Sequence, residues 1–244
     1  MNITRTGSGQ PLVLLHGFPL DNTLWEPLLP HLADHFDIIL PDLAGFGLSP
    51  LPKPDYHLRD MAAALADLLR GLGLPRAFVA GHSMGGYVAL AFARQSPEML
   101  LGLGLISTQA LPDNAERQAA RHQTAAEVAA KGPGVVADAM AAKLSANPAH
   151  ETLLRETILR QPVPGIVNGL KAMAARADSS DLLPGLDCPV SIVHGLADAL
   201  IPPERAREMK AALSNAHLTE LPGVGHMPML EAPVETAEAL KKLL

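Results

Sequence analysis

The sequence predicts an α/β fold with a doubly wound, mostly parallel β-sheet. Short apolar runs alternate with longer stretches of helical pattern, as expected when each strand is followed by a crossover helix. Several of the runs are almost uniformly apolar, which is typical of parallel strands that are covered on both faces. Six runs are assigned as strands: 11–17, 36–42, 77–83, 100–107, 189–195 and 216–223.

The alternation of strand and helix stops between residues 111 and 185. Helix-forming residues there are interrupted only by short breakers that contain Gly, Pro or Asn, which predicts three or four short helices. Because so short a segment could bury little apolar surface by itself, we expect 111–185 to form a helical cap on a core of residues 1–110 and 186–244. Elsewhere, helices are predicted at 23–34, 57–71, 85–96, 202–213 and 233–243.

The composition argues against several classes of protein. The net charge is −6 and no basic stripe is present, so we expect no nucleic-acid partner. The apolar stretches are too short to cross a membrane, and the N-terminus has no secretory signal pattern. The single cysteine, Cys188, allows no internal disulfide and fits a reducing compartment, so a cytoplasmic location is predicted. Homo-oligomerisation stays open.

The segment VAGHSMGGYVAL (79–90) places Ser83 between Gly81 and Gly85, where an apolar run changes to a helical pattern. Glycine inside a strand or helix costs roughly 0.5–1 kcal/mol relative to alanine, so its repeated use here needs a geometric reason. A G-x-S-x-G nucleophile elbow supplies one, since its sharp strand-to-helix turn leaves no room for side chains. A flexible turn is the plain alternative, but the flanking strand and helix favour Ser83 as a nucleophile.

A serine nucleophile needs a base, and the base needs an acid that orients it. Asp198 follows the strand 189–195 in the motif HGLAD, and His226 follows the last strand in the motif GVGHMP. Because parallel strands end at the same edge of a sheet, we predict that Ser83, Asp198 and His226 meet there as a catalytic triad. Asp42 is a competing acid, which we expect to stabilise its own turn instead.

The oxyanion that develops during acyl transfer needs preorganised hydrogen-bond donors. We predict that these are the backbone N–H of Met84, at a helix N-terminus, and the N–H of Phe18, in the loop HGFPLD. His82 is expected to pack within the elbow rather than to take part in catalysis. No C-x-x-C pair supports a metal site, and we predict neither a metal nor a cofactor.

The motifs VLLHGFPLD, PDLAGFGLS, GHSMGG, VHGLAD and GVGHMPMLEAP resemble those of the α/β-hydrolase superfamily, in order and spacing, over essentially the whole chain. The resemblance implies the α/β-hydrolase fold with about seven strands and a triad in the order Ser, Asp, His. The chain looks most like the small carboxylesterases, enol-lactonases and cofactor-free haloperoxidases. Only NITRTG (2–7) precedes the first HG strand, so the family's first strand is expected to be absent.

The resemblance also implies a serine hydrolase that cleaves carboxylic esters through an acyl-enzyme, with a small ester or lactone as its partner. All eight aromatic residues lie in the first 92 residues, so the cap can offer only aliphatic walls. Such walls bury alkyl groups but cannot stack on rings, which favours esters of short to medium aliphatic acids. Trp25 and Tyr87 are candidates for the floor of the substrate pocket.

Three alternatives stay open. An enzyme similar to 3-oxoadipate enol-lactonase would use the same triad with a cation for the substrate carboxylate, for which the cap offers Arg155, Arg160 and Arg176. A perhydrolase or haloperoxidase would let peroxide attack the acyl-enzyme. A ligand receptor of this fold would turn over slowly and signal through movement of its cap.

Overall fold

The computed structural model describes all 244 residues and contains one sheet of seven strands. These are β1 (Ile3–Gly7), β2 (Gln10–Leu15), β3 (Phe36–Pro41), β4 (Ala77–His82), β5 (Leu100–Ile106), β6 (Val190–Gly195) and β7 (Ala216–Leu221). Their order across the sheet is β1-β3-β2-β4-β5-β6-β7. Strand β1 is antiparallel to β3, and every other neighbouring pair is parallel. The predicted seven-stranded, mostly parallel α/β sheet is confirmed.

The strand β1 comes from the NITRTG segment, outside the six apolar runs. Its sequence is mostly polar and its side chains are exposed or half-buried, because it pairs only with β3 at the edge of the sheet. Arg5 of β1 donates two hydrogen bonds, of 2.8 and 2.6 Å, to the carboxylate of Asp37 on β3. Because a strand of this kind has no continuous apolar run, an apolar pattern does not indicate it.

Ten α-helices and four short 3₁₀ helices complete the chain, and none of the helices is both long and apolar enough to span a membrane. The α-helices are α1 (Leu29–Leu32), α2 (Leu58–Gly71), α3 (Met84–Gln95), α4 (Ala115–Lys131), α5 (Gly134–Leu144), α6 (Glu151–Leu159), α7 (Val163–Ala174), α8 (Glu204–Ala212), α9 (Pro228–Glu231) and α10 (Pro233–Lys241). The 3₁₀ helices are Asn22–Leu28, Pro97–Met99, Pro148–His150 and Ser180–Gly185.

The helix predicted at 23–34 is the largest departure from the expected elements. The structure has a 3₁₀ helix there, followed by the single turn α1. Pro27 lies inside the 3₁₀ helix and Pro30 in the first turn of α1, and proline has no N–H to donate to an α-helical ladder. The segment is therefore divided into two short pieces.

The four helices α4 to α7 lie between β5 and β6, as the breakers of this segment predict. Helix α4 packs along α7, and α5 packs along α6. The buried apolar residues of the protein form one cluster, which runs from the sheet into all four helices through residues such as Val128, Val136, Ile158 and Ile166. These helices therefore share the core of the sheet.

Helix α7 is fixed to the loop that follows β3. Gly165 packs so closely on Gly45 that an alanine methyl at position 165 would lie 1.7 Å from the Gly45 carbonyl oxygen. One turn later, the Asn168 amide donates to the Tyr56 carbonyl at 2.8 Å and accepts from the Tyr56 N–H at 2.9 Å. These contacts fix the position of α7 relative to the loop that follows β3.

Asp21, in the loop after β2, makes a second attachment, which joins this loop to the segment just before α7. Its buried carboxylate accepts hydrogen bonds from Arg160 at 2.9 and 3.0 Å and from Gln161 at 2.7 Å. Burial alone would raise the pKa of Asp21, but the hydrogen bonds from Arg160, Thr23 and Gln161 outweigh it and lower the pKa to about 2. An ionised Asp21 therefore joins the loop after β2 to the residues just before α7.

The contact between Gly165 and Gly45 predicts an asymmetric effect of glycine-to-alanine changes in these helices. Gly165→Ala should lower the free energy of unfolding by about 1–3 kcal/mol, because the methyl group would overpack a backbone contact. Gly134→Ala, in the first turn of α5, meets no atom within 4 Å and should leave stability unchanged or raise it by about 0.5–1 kcal/mol. Urea unfolding of both variants is the measurement, and equal stabilities would contradict the packing argument.

The lowered pKa of Asp21 predicts a dependence of stability on pH. Because this pKa is about 2 in the folded protein and has an ordinary value of 3.8, the stabilisation is complete above about pH 5 and is lost as the pH falls through 3.8 towards 2. Asp21→Asn should lower the free energy of unfolding at neutral pH by about 2 kcal/mol, and the difference from wild type should shrink on acidification.

Urea unfolding between neutral pH and about pH 3 tests this dependence. Asp138→Asn is the control, since the ion pair of Asp138 with Arg155 is exposed and should contribute little at any pH. A loss of stability in Asp21→Asn that does not change with pH would show that the carboxylate acts only through its shape.

Candidate active site

Ser83 lies in the turn between β4, which ends at His82, and α3, which begins at Met84. Its backbone has φ 51° and ψ −113°, a conformation that non-glycine residues seldom adopt and that costs on the order of 1–3 kcal/mol. Two hydrogen bonds hold the turn: the Ser83 N–H donates to the Ile106 carbonyl at 2.9 Å, and the Thr108 hydroxyl donates to the Ser83 carbonyl at 2.8 Å. The serine is thus held, half-buried, at the carboxyl edge of the sheet.

The glycines around Ser83 are explained by close backbone contacts. An alanine methyl at Gly81 would lie 2.2 Å from the carbonyl oxygen of Gly85, and one at Gly85 would lie 2.2 Å from the carbonyl oxygen of Leu15. A methyl at Gly86 would lie 2.4 Å from the hydroxyl of Thr108. Strand β4, helix α3 and strand β2 therefore meet where only backbone atoms fit, which is the geometric reason for the glycines.

Asp198 and His226 are brought together at the same edge, after β6 and β7. The Nδ1–H of His226 donates to Oδ2 of Asp198 at 2.7 Å, which leaves Nε2 as the acceptor of the neutral ring. The other carboxylate oxygen, Oδ1, accepts from the N–H groups of Leu200 and Ile201 at 2.8 and 3.0 Å. Burial would raise the pKa of Asp198, but its electrostatic interaction with His226 and these hydrogen bonds outweigh burial and lower the pKa.

His82 connects the Ser83 turn to the loop that carries His226. The Nε2–H of His82 donates to the His226 carbonyl at 2.8 Å, and the two rings lie 4.8 Å apart between centroids. Burial lowers the pKa of His82 well below its ordinary value, so the ring is neutral and donates from one nitrogen only. The residue before Ser83 is therefore bonded directly to His226.

The loop of His226 is also held by Glu231 and by the end of α5. The Glu231 carboxylate accepts from the N–H groups of Gly225 and Met227 at 2.9 and 3.2 Å. The N–H of His226 itself donates to the carbonyl of Leu144 at 2.9 Å. The position of the His226 backbone thus depends on both the sheet and helix α5.

Phe18 and Met84 lie at the carboxyl ends of the adjacent strands β2 and β4. The N–H of Phe18 donates to no other group of the protein, and the N–H of Met84, as the first residue of α3, has no carbonyl partner within the helix. A methyl at Gly17 would lie 2.4 Å from Nδ1 of His82, so the Phe18 loop packs directly on the residue before Ser83. Two free donors are therefore close to the Ser83 turn.

Asp42, the competing acid, takes part in its own turn. Its carboxylate accepts hydrogen bonds from Asn2 at 2.9 Å, from the Asn22 N–H at 3.0 Å and from the Leu48 N–H at 2.9 Å. No group of three or more His, Cys, Asp or Glu side chains is arranged to hold a metal ion. The bonded partner of His226 is Asp198.

Trp25 and Tyr87, the candidates for the floor of the substrate pocket, both pack against other side chains. Trp25 is fully buried and packs edge-on against the ring of His82, with 6.5 Å between the centroids. Tyr87 lies under the guanidinium of Arg176, whose Cζ is 4.2 Å from the ring centroid, in a groove on the outer side of α3. Both aromatic rings thus have packing partners that the sequence pattern did not suggest.

A cavity of about 190 Å³ includes Phe18 and faces helices α4, α5 and α7. Its apolar wall includes Val136, Met140 and Leu170, while Arg117 and Arg121 of α4 border it as well. The sequence pattern alone did not point to these two arginines. The available signal was the four-residue spacing of Asp113, Arg117 and Arg121, which places their side chains on one face at the start of α4.

The chain resembles known proteins over nearly its whole length. The model of the alpha/beta hydrolase fold family matches residues 10–233. A thermophilic esterase from Thermogutta terrifontis, solved with malate bound, is 38% identical with a TM-score of 0.94, over 98% of this chain and 91% of that one. The pimeloyl-[acyl-carrier protein] methyl ester esterase of Chromobacterium violaceum is 30% identical over 99% of this chain and 97% of its own length.

The enol-lactonase from Burkholderia xenovorans LB400 shares the fold, with a TM-score of 0.91 at 23% identity over 99% of this chain and 95% of that one. The family match covers most of the chain, and the esterase likeness extends over nearly all of it. The protein therefore belongs to the alpha/beta hydrolase fold family and is a hydrolase of that type.

Proposed function

We propose that the protein is a serine hydrolase that cleaves carboxylic esters of short to medium aliphatic acids through an acyl-enzyme. One observation carries the proposal. His82, the residue before the strained turn at Ser83, donates a hydrogen bond to the His226 carbonyl, and the ring of His226 donates to Asp198. A nucleophile, a base and an orienting acid are the three groups that acyl transfer at a serine requires.

In the proposed reaction, Ser83 attacks the ester carbonyl while Nε2 of His226 takes its proton. Asp198 holds the resulting imidazolium through Nδ1–H, and the N–H groups of Phe18 and Met84 stabilise the oxyanion of the tetrahedral intermediate. His226 then returns the proton to the leaving alcohol, which departs and leaves the acyl-enzyme. Water, activated by the same histidine, releases the acid and restores Ser83. The reaction needs no cofactor, and we propose a cytoplasmic location.

We propose that the acyl chain enters the cavity of about 190 Å³ beside Phe18. This choice is supported by its aliphatic wall, because Val136, Met140 and Leu170 can bury methylene groups but cannot stack on an aromatic ring. The limited volume supports acids of short to medium length.

A second candidate is hydrolysis of an ester or lactone that carries a carboxylate. None of the three arginines first considered for this role is unpaired: Arg155 pairs with Asp138, Arg160 with Asp21 and Arg176 with Asp113. The single carboxylate of Asp113, however, is shared by three arginines: Arg117, Arg121 and Arg176. Positive charge therefore exceeds negative charge at this place.

Two of these arginines, Arg117 and Arg121, border the cavity that includes Phe18, so this charge is well positioned to attract an anion. The malate bound to the Thermogutta esterase, a dicarboxylate, adds support from a relative. An enzyme similar to an enol-lactonase is therefore the alternative that the charges favour.

Removal of the proposed nucleophile tests the mechanism. Ser83→Ala should fold normally and lose on the order of 10⁶-fold in kcat for p-nitrophenyl butyrate, as for loss of a triad serine. A fluorophosphonate should label the wild type once and the variant not at all. Ser107→Ala is the matched control, because Ser107 is a buried serine with positive φ at the end of the neighbouring strand β5. Near-normal turnover by Ser83→Ala would refute the mechanism.

A substrate series tests the acyl preference and separates the two candidates. For p-nitrophenyl esters, kcat/KM should rise by up to about fourfold per methylene from acetate upwards and fall once the cavity is full. The neutral hexanoate should be preferred over the p-nitrophenyl monoester of adipic acid.

A preference of tenfold or more for the anionic monoester would instead establish the second candidate. In that case Arg117→Gln should abolish the preference, while Arg155→Gln should preserve it, since both arginines have 42% of their side chains exposed but only Arg117 borders the cavity. A maximum at palmitate would contradict both candidates.

A further inference from the structure

A groove of about 300 Å³ lies apart from the proposed catalytic residues, between α3, the first turn of α2 and the end of α7. Its lining includes none of the three proposed triad residues and, unlike the cavity beside Phe18, neither of the two proposed oxyanion donors. The size of the groove is at the lower end of the range for small-molecule sites. The proposed mechanism makes no use of it.

Two buried polar side chains in the groove have no hydrogen-bond partner. Tyr87 is 6% exposed and its hydroxyl neither donates nor accepts within the protein. Gln109, which follows β5, is 7% exposed, and its amide makes no hydrogen bond either. Both side chains line the groove and their polar atoms reach its solvent, so these atoms are available to bond a polar ligand atom.

The charged groups of the groove are all cationic. Its lining includes Arg59, Arg94 and Arg176 but no Asp or Glu. Arg94 is held from outside the groove by Asp181, and Arg176 by Asp113 at 2.9 Å. Arg59 forms no ion pair, so its charge is uncompensated. An anion is therefore favoured over a neutral or cationic ligand.

Seven of the ten remaining residues that line the groove are aliphatic, and the other three, His57, Gln95 and Ser179, are polar. Leu58, Leu90 and Ala91 come from α2 and α3, and Ala172 comes from α7. A ligand that fits both parts has an apolar body and one anionic group that accepts hydrogen bonds.

We propose that this groove binds a small aliphatic monocarboxylate. The carboxylate accepts hydrogen bonds from the Tyr87 hydroxyl and the Gln109 amide in the positive field of the arginines, and the alkyl chain lies against Leu90 and its apolar neighbours. Binding in the groove does not require the hydrolysis proposed above, although the ligand is of the same chemical class as the acid that this hydrolysis releases.

The test uses sodium hexanoate as the probe and the Gln109 side-chain amide as the reporter. In ¹H–¹⁵N spectra this amide pair is identified by its loss in Gln109→Leu. Hexanoate should shift it saturably with a Kd of about 1 mM, the range expected for so small a ligand, and hexan-1-ol should not. Arg59→Gln should weaken hexanoate binding by about three- to tenfold, through loss of the uncompensated charge.

Two variants serve as controls. Arg70→Gln, at the far end of the same helix α2, should bind hexanoate as the wild type does, since Arg70 pairs with Asp67 away from the groove. Ser83→Ala should also bind it normally, whether or not Ser83 is the nucleophile. Circular dichroism confirms the folding of each variant. Equal shifts with hexan-1-ol, no response of the amide, equal binding by Arg59→Gln, or loss of binding in Ser83→Ala would each overturn the proposal.

Discussion

The crossing of β4 and α3 over β2 leaves space for backbone atoms only, and the positions of Ser83 and of the two proposed oxyanion donors depend on it. The carbonyl of Leu15 fills the space where a side chain at Gly85 would lie, so α3 starts directly against the end of β2. This contact forces the abrupt turn in which Ser83 takes a positive φ. It also brings the loop of Phe18 beside the start of α3, so two N–H groups from different elements face one region.

His82 shows how a buried, neutral side chain can serve a site without contacting a substrate. Its hydrogen bond to the His226 carbonyl links the elbow to the last loop of the sheet, across 144 positions in sequence. If His82 were charged, it would oppose the positive charge that His226 gains in the proposed reaction, because the rings are only 4.8 Å apart. Burial, which lowers the pKa of His82, therefore suits both the hydrogen bond and the proposed chemistry.

The sequence predicted the sheet well because strands β2 to β6 are mostly buried. A strand that is buried on both faces keeps a continuous run of apolar residues, which is easy to recognise. Strand β1 escaped because an edge strand needs little apolar surface, and the helix at 23–34 was wrong because two prolines outweighed its helical pattern. The positions of Asp198 and His226 followed from motifs at strand ends, and their hydrogen bond has the expected partners.

Contacts between side chains that lie far apart along the chain could not be predicted from the sequence. The pairing of three arginines with Asp113, and the stacking of Arg176 on Tyr87, join residues of four different segments. Helical spacing can suggest that Arg117 and Arg121 share a face, but it cannot say which carboxylate or cavity that face meets. For Trp25 and Tyr87, likewise, residue type indicates a buried ring and not what surrounds it.

The helices above the sheet are attached through directional polar contacts as well as apolar ones. Asp21 with Arg160, and Asn168 with Tyr56, each need one relative orientation, whereas an apolar face alone would tolerate sliding. Displacement of these helices would break the hydrogen bonds that Arg160 and Gln161 donate to the buried, ionised carboxylate of Asp21. The His226 N–H also bonds to Leu144 of α5, so such a displacement would move the proposed base itself. The proposed entry of the acyl chain through the cavity beside Phe18 requires no such displacement, so we expect the side chains that line this cavity, rather than an opening of the helices, to select the substrates.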